Sequence, residues 1–375
     1  MHLLIITPIF PPAQGGAATY YKLLSEGLIE GGYVNQITVV TEHMPGLKGE
    51  QIMMDGKLRV VRLFPYRAGG QLNKLSQYFR YAVQNIQYLT IPKLVRKLGA
   101  DTIVVHSGFH NHLNTFGYVI PRIGRNAKLI ADVRDQLMPE KELWQLDSYN
   151  EIIVCSENVL AHVHKNQALI GRVHHIPVVQ EAIEHPRSEA GKTLDKYGLL
   201  SAGYLLYAGL IKRGKGIDLL FRTYKALRAK GFQKDLVLIG LAKDAVLAEE
   251  ARQISGVQLF QSLPRQELLD LMAEAALNIN LSRSEGMPRV CLEAIALGAR
   301  VLLPQGIPEF SRHCPHAVAC ATEPAALADQ IKMLLAMGPC LSYPLADHEL
   351  NAVLADYATL FRATQGSCKN TRSLD

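Results

Sequence analysis

Short apolar runs of strand length alternate with helical stretches along nearly the whole chain, and this alternation restricts the fold more than any other feature. Runs at 3–7 (LLIIT), 36–41 (QITVVT), 58–63 (LRVVRL), 102–106 (TIVVH), 129–132 and 151–155 read as buried strands. Between them, 17–30 has helical spacing through Tyr20, Leu23, Leu24, Gly27 and Leu28 and stops at Gly31-Gly32, as helices commonly do. Leu72, Leu75, Phe79, Val83, Ile86 and Leu89 outline another amphipathic helix. A second series has strands at 204–208, 236–239, 257–260, 277–281 and 300–303, with helices at 216–230, 246–254, 265–275 and 288–297. A last amphipathic helix spans 346–361. Strands that take turns with helices build parallel sheets covered on both faces, so the expected class is α/β with two doubly wound domains. Ligands of such sheets bind beyond the carboxyl ends of the strands, where His106, Asp132 and Asp135 fall.

The 375 residues accommodate two such domains. The polar stretch 179–203 has little periodicity and reads as the linker, giving domains at 1–178 and 179–345 and a terminal segment at 346–375. With 48% hydrophobic and 20% charged residues, disorder over most of the length is excluded. No apolar run reaches the roughly 18–20 residues of a membrane-spanning helix. The opening MHLLIITPIFPP has no basic leader and meets Pro11-Pro12 where a signal peptide would continue, so a cytoplasmic protein is expected. Cys155, Cys291, Cys314, Cys320, Cys340 and Cys368 show no C-x-x-C spacing, which fits reduced thiols better than a disulfide scaffold. His110/His112, His162/His164 and His313/His316 match no zinc spacing, and no metal site is expected.

Charge is uneven. Residues 1–180 hold 18 basic and 13 acidic side chains, and 181–375 hold 22 and 21. Residues 56–100 contain no acid and nine bases: Lys57, Arg59, Arg62, Arg67, Lys74, Arg80, Lys93, Arg96 and Lys97. Such a block attracts polyanions or anionic lipid headgroups. Together with Tyr78, Phe79, Tyr81 and Tyr88 it suits a helix lying on a membrane surface. No nucleic-acid-binding motif accompanies it, so nucleic acid is not an expected partner.

The most informative stretch is 281–304, LSRSEGMPRVCLEAIALGARVLLP. A strand delivers the chain to Ser284-Glu285-Gly286, Pro288 suits the first turn of a helix, and Gly298 closes it. The N–H groups and positive dipole end near 287–290 form an anion site suited to phosphate. Glu285 and Glu293 make an E-x7-E pair, one acid at the phosphate end and one deeper in the helix, where sugar hydroxyls could supply donors to a buried carboxylate. Spacing alone fits equally a helix-entry acid at Glu285 and a solvated Glu293 on an outer face.

The same stretch is similar to the signature of retaining glycosyltransferases of family 4, E-G-[FM]-[GP]-x-V-x-L-E-A-[MI]-A-x-G-x-P-V. Other segments resemble that family in the same order: Gly15-Gly16 after the first strand, Tyr207-Ala208-Gly209 followed by Lys215-Gly216-Ile217-Asp218-Leu219-Leu220, Leu238-Ile239-Gly240, and Gly306-Ile307-Pro308-Glu309. The terminal helix with Tyr357 resembles the family's helix that crosses back to the first domain. The resemblance implies the GT-B fold, two Rossmann-like domains facing across a cleft, with 1–178 on the acceptor side and 179–345 holding a nucleotide-sugar donor. It implies a hexosyltransferase that moves sugar from a UDP- or GDP-sugar to a glycan or lipid-linked acceptor, with the anomeric configuration retained and no metal or cofactor. Taken with the basic block, which suggests an anionic or lipid-linked acceptor at a membrane surface, the expected setting is bacterial cell-surface polysaccharide or lipopolysaccharide synthesis at the inner face of the cell membrane.

By the same resemblance, Lys215 pairs with the donor diphosphate and Glu293 meets the nucleotide ribose. Glu285 lies beside the transferred sugar, and the backbone of Gly286, Met287, Pro288, Arg289 and Val290 holds sugar and phosphate oxygens. Gly209 shapes the donor loop, Gly16 permits close approach of phosphates or acceptor, and His106 is the first-domain candidate for contact with the sugar or acceptor. The chain departs from the family at Leu210, where an arginine is usual; Lys212 or Arg213 would have to supply that charge. Arg134 stands before Asp135 where many members carry histidine, and Ile176-Pro177 leads into Val178-Val179 rather than Asn-Gly. No D-x-D motif occurs in the chain. Rival readings are a sugar-nucleotide epimerase of the same fold and a non-catalytic sugar-nucleotide-binding partner subunit. An NAD-dependent oxidoreductase is disfavoured because PIFPPAQGGAA lacks G-x-G-x-x-G.

Overall fold

In the computed structural model, which describes residues 1–13, 15–44, 46–64, 95, 97–109, 115–123, 127–181, 183 and 190–363, the two alternating series become two sheets. The chain divides into one unit of Met1–Glu181 with Ala346–Asp375 and another of Ala182–Leu345. The fold is that of the GT-B proteins, mixed α/β with two largely parallel sheets.

The first unit carries β1 (His2–Ile6), β2 (Gln36–Glu42), β3 (Glu50–Met53), β4 (Leu58–Phe64), β5 (Thr102–His106), β6 (Lys128–Val133), β7 (Glu151–Val154) and β8 (Val173–His175). Their order in the sheet is β3-β4-β2-β1-β5-β6-β7-β8, parallel throughout except for β3 against β4. Leu3, Leu4 and Ile5 of β1 have no exposed surface, as expected of a central strand covered on both faces. The helix Gly16–Glu30 links β1 to β2 and buries Tyr20, Tyr21, Leu24 and Leu28. Strands β3 and β8 lie at the two edges and are largely exposed, which is why no apolar run announces them.

The helix Leu350–Ala363 completes this unit by packing on Gly16–Glu30. A Cβ at Gly27 would sit 2.9 Å from Leu354 Cδ1, so glycine sets the approach of the two helices. Tyr20 Oη and Tyr357 Oη are 2.8 Å apart at their interface.

The helix expected over 72–89 and most of the basic block fall outside the described residues. Of the described members, Arg59 pairs with Glu50 at 2.7 Å. Arg62 is 4% exposed and donates to the carbonyls of Pro11 and Glu42, so it serves the interior and not a basic surface.

The second unit carries β9 (Tyr204–Ala208), β10 (Asp235–Ile239), β11 (Val257–Phe260), β12 (Leu277–Ile279) and β13 (Val301–Leu302), all parallel, in the order β11-β10-β9-β12-β13. Phe221, Tyr224 and Leu227 of the helix Ile217–Ala229 pack with Leu327 and Ile331 of the helix Pro324–Ala336. No element expected from the sequence covers that second helix. The segment read as linker contains the helix Ala190–Tyr197, tied to the second unit where Thr193 Oγ1 donates to Asp270 at 2.6 Å.

One expectation is overturned. Cys314 and Cys340 form a disulfide, with Cα atoms 5.9 Å apart and a sequence separation of 26. They follow the helices Pro308–His313 and Pro324–Ala336, and only the fold brings these two helix ends together. Cys155, Cys291 and Cys320 are free thiols. Burial, foremost, pushes the Cys155 thiol up to about 11. Among the described residues no helix is long and apolar enough to cross a membrane.

Candidate functional site

Strand order reverses between β9 and β12: β10 and β11 extend to one side of β9, while β12 and β13 lie on the other. A crevice at the carboxyl ends of two such strands is where open α/β sheets bind ligands. The two loops that leave these ends, 209–216 and 280–288, contain most of the residues singled out from sequence.

The loops are sewn together by main chain. Arg283 N–H donates to the Gly214 carbonyl at 3.1 Å, and the Arg283 guanidinium reaches Asp218 at 2.7 Å. Burial raises the Asp218 carboxyl, but the hydrogen bond and charge of Arg283 outweigh it and hold the group below its ordinary value. Gly216 has φ +73°, and a Cβ there would lie 2.1 Å from the Leu281 carbonyl oxygen. No other residue fits between the loops. Gly209 has φ +148° at the end of β9, and Tyr207 Oη donates to the Leu210 carbonyl at 2.9 Å.

Lys215 closes the 3-10 turn Arg213–Lys215, and its Nζ forms an ion pair with Glu285. Both side chains are partly buried, at 24% and 17% exposure. Gly286, Met287 and Pro288 are buried, and the helix Arg289–Ala296 begins immediately afterwards. Pro288 is therefore the residue before the helix and not its first turn. No side chain caps this helix start, and Cys291 N–H turns back to the Pro288 carbonyl at 3.0 Å. The first-turn amides of Arg289 and Val290 thus open at a positive dipole end, four and five residues after Lys215's partner Glu285. Burial, followed by the nearby Glu285 charge, pushes the Cys291 thiol well above its ordinary value, so this is an inert packing residue.

Glu293 is buried, with its side chain 4% exposed, and is not a solvated outer-face acid. Its Oε1 lies 2.9 Å from Arg265 Nη2 and 3.8 Å from Arg289 Nη2. Of the two cations proposed to offset Leu210, Lys212 is exposed, and Arg213 is 62% exposed with Asp244 at 3.6 Å. Leu210 itself is 39% exposed.

Two sequence candidates belong to the first unit. His106 ends β5 beside Asp132 of β6; its ring meets Tyr21 edge-on with centroids 5.4 Å apart, and Nδ1 is 3.5 Å from Thr7 Oγ1. Gly16 opens its helix and is exposed. Behind them Asp132 binds Arg134 Nε at 2.5 Å and accepts from Tyr21 Oη at 2.9 Å. The Arg134 guanidinium lies 3.8 Å above the Tyr20 ring and donates to Tyr357 at 3.1 Å. Arg134 is thus a buried structural cation.

Sequence reasoning gave no role to Arg265, Arg283 or the Tyr207 hydroxyl. Arg265 was visible only as the first residue of an expected helix, and its partner lies 28 positions away in sequence. Among the described residues no three His, Cys, Asp or Glu side chains gather to hold a metal ion.

Residues 202–337 match the family model of glycosyl transferases group 1. No curated protein matches the chain in sequence. Sucrose-phosphate synthase from Thermosynechococcus elongatus is similar in structure, with TM-score 0.77 and 17% identity over 98% of this chain and 99% of that one. An alpha,alpha-trehalose-phosphate synthase (UDP-forming) from Burkholderia xenovorans, in complex with glucose-6-phosphate, has TM-score 0.69 and 13% identity over 97% and 99%. A glycosyltransferase from Rickettsia africae has TM-score 0.72 and 13% identity over 96% and 98%. The matched segment lies within the second unit, and these solved structures share the chain's GT-B fold.

Proposed function

We propose that this protein is a retaining glycosyltransferase of family 4 that moves a hexose from a UDP- or GDP-hexose to a hydroxyl of a glycan or lipid-linked acceptor in cell-envelope polysaccharide synthesis. The observation that carries the reading is the meeting of Lys215 and Glu285 where strand order reverses, beside an uncapped helix start. A cation next to first-turn amides is the arrangement a departing diphosphate requires.

In the reaction, the acceptor hydroxyl attacks the anomeric carbon from the face that the leaving group departs. The bond from that carbon to the diphosphate oxygen breaks, and its electron pair goes to the diphosphate. Lys215 and the amides of Arg289 and Val290 take up the developing charge, and the hydroxyl proton passes to the departing phosphate oxygen. Glu285 orients the transferred sugar, and Glu293 holds the ribose hydroxyls. Gly209, Arg213 and the backbone of Gly286, Met287 and Pro288 complete the donor site. His106 and Gly16 serve the acceptor and sugar. No step uses a metal or cofactor.

The acid-free block of 56–100, apart from the paired Arg59 and the buried Arg62, favours an acceptor presented at an anionic membrane surface by a cytoplasmic, peripherally attached enzyme. The phosphorylated sugar in the Burkholderia neighbour motivates a second acceptor class, a soluble hexose phosphate. Incubating the protein with UDP-glucose and GDP-mannose, with and without lipid-linked glycan or glucose-6-phosphate, tests all of this. Release of nucleoside diphosphate with a new α-linked product supports the reading. Donor epimerised without acceptor would replace it with an epimerase, and donor binding without turnover would replace it with a partner subunit. Flotation with anionic liposomes tests the membrane arm.

A further inference from the structure

The donor site contains a residue that neither the motifs nor the matched family assigns a role. Arg265 opens the helix Arg265–Glu274, which packs against Arg289–Ala296, and its guanidinium meets Glu293 Oε1 at 2.9 Å. The two ends of this pair differ sharply: Arg265 is 41% exposed and Glu293 4%. A carboxylate so buried is costly unless its charge is met. Arg289, one helical turn before Glu293 and 9% exposed, is the more distant cation at 3.8 Å. Arg265 is the close one.

An ion pair made by a single oxygen turns the carboxylate. With Oε1 drawn to Arg265, Oε2 is left to accept from another donor, and a carboxylate that is already charge-compensated takes a neutral donor in preference to a further cation. Vicinal hydroxyls are such a donor. The spacing also fits: Glu293 is four residues beyond Arg289, which is about 6 Å along the helix axis, the distance that separates a diphosphate at the helix start from the sugar of its own nucleoside.

We infer that Arg265 is a positioning residue that fixes the rotamer of Glu293 and thereby sets the protein's preference for the ribose diol of the donor nucleotide. This rests on the donor site proposed above. Arg265 acts through Glu293 and takes no part in the chemistry at the anomeric carbon. Its effect therefore falls on nucleotide recognition and leaves capture of the diphosphate itself unchanged.

Calorimetric titration of the full chain with UDP, 2′-deoxy-UDP, GDP, 2′-deoxy-GDP and inorganic pyrophosphate tests the inference, on wild type, Arg265→Gln, Arg265→Lys and Glu293→Gln. In wild type the ribonucleotide is expected to bind about tenfold more tightly than its 2′-deoxy counterpart, one charge-assisted hydrogen bond's worth of discrimination. Arg265→Gln should erase that ratio and leave pyrophosphate affinity unchanged, Glu293→Gln should erase the ratio as well, and Arg265→Lys should restore part of it. Unchanged thermal midpoints identify the effect as one on recognition. A ribose-to-deoxyribose ratio preserved in Arg265→Gln overturns the inference while the donor-site reading stands. Wild type that binds none of the nucleotides removes the donor site and the inference together.

Discussion

Lys215 Nζ and Glu285 form an ion pair across the two loops of the second unit, so the cation assigned to the donor diphosphate is held by the acid assigned to the donor sugar. In the donor site proposed above, an entering diphosphate competes with Glu285 for Lys215. On that proposal Glu285 is a competitor of the leaving group as well as a partner of the sugar.

Replacing Glu285 by Gln should therefore move binding and turnover in opposite directions. Free UDP or GDP is expected to bind about three- to tenfold more tightly, because Lys215 no longer breaks an ion pair to receive it. Turnover should fall about a hundredfold with the loss of the group beside the sugar. Titration calorimetry and a steady-state assay on one preparation read both numbers.

Gly216→Ala is predicted to damage the donor loop without touching any ligand group. The added methyl would meet the Leu281 carbonyl oxygen at 2.1 Å, and φ +73° disfavours any side chain. A loss of about 2–4 kcal/mol in urea unfolding is expected, together with weakened nucleotide binding. A matching Gly231→Ala control, at φ +80° in open space, should lose only the conformational part of that, about 1 kcal/mol.

Removing Arg134 leaves Asp132, which has no exposed surface, as an uncompensated charge. Burial acts against the guanidinium, yet Asp132, foremost among the charges and hydroxyls around it, keeps Arg134 firmly protonated. Arg134→Ala is expected to cost about 3–5 kcal/mol. Tyr357→Phe, which removes the hydroxyl contacts to Tyr20 and Arg134 only, should cost about 1–2 kcal/mol. Chemical unfolding curves separate the two.

Acid should weaken the first unit through His348. Burial, the largest influence, lowers the imidazole below its ordinary value, although its Nδ1 donates to the Val178 carbonyl at 2.9 Å. Above about pH 6.5 both folded and unfolded forms are neutral and nothing is lost. Below it the unfolded chain takes up a proton that the native site resists, so stability falls with falling pH. Thermal melts between pH 7.5 and 5.5 should show that decline, and His348→Gln should flatten it; an identical slope in the variant would count against this assignment.

What could be read from the sequence follows from how local each signal is. Runs such as LLIIT and TIVVH announced central strands because both of their faces are covered, and β5 begins and ends where its run does. The edge strands β3 and β8 had no such signal, because a strand wet on one side needs no continuous apolar run. In the site, 281–304 pointed to a strand, a loop and a short helix carrying two acids, and the structure places Lys215 against the first of them. The partners of those acids were invisible. Arg265 reaches Glu293, and Arg283 reaches Asp218, by side-chain contacts between separate elements, with no fixed spacing to betray them. The Cys314–Cys340 bond was missed for the same reason.

The helix Leu350–Ala363 belongs to the unit whose first strand is His2–Ile6. During synthesis, the opening half of the polypeptide emerges from the ribosome long before the piece that covers Tyr20 and Arg134. That half must wait, with part of its apolar flank uncovered, while the whole intervening unit is made and folds. Premature termination between residues 181 and 350 would release a product with an intact sheet and an open flank, a natural target for chaperones and proteases.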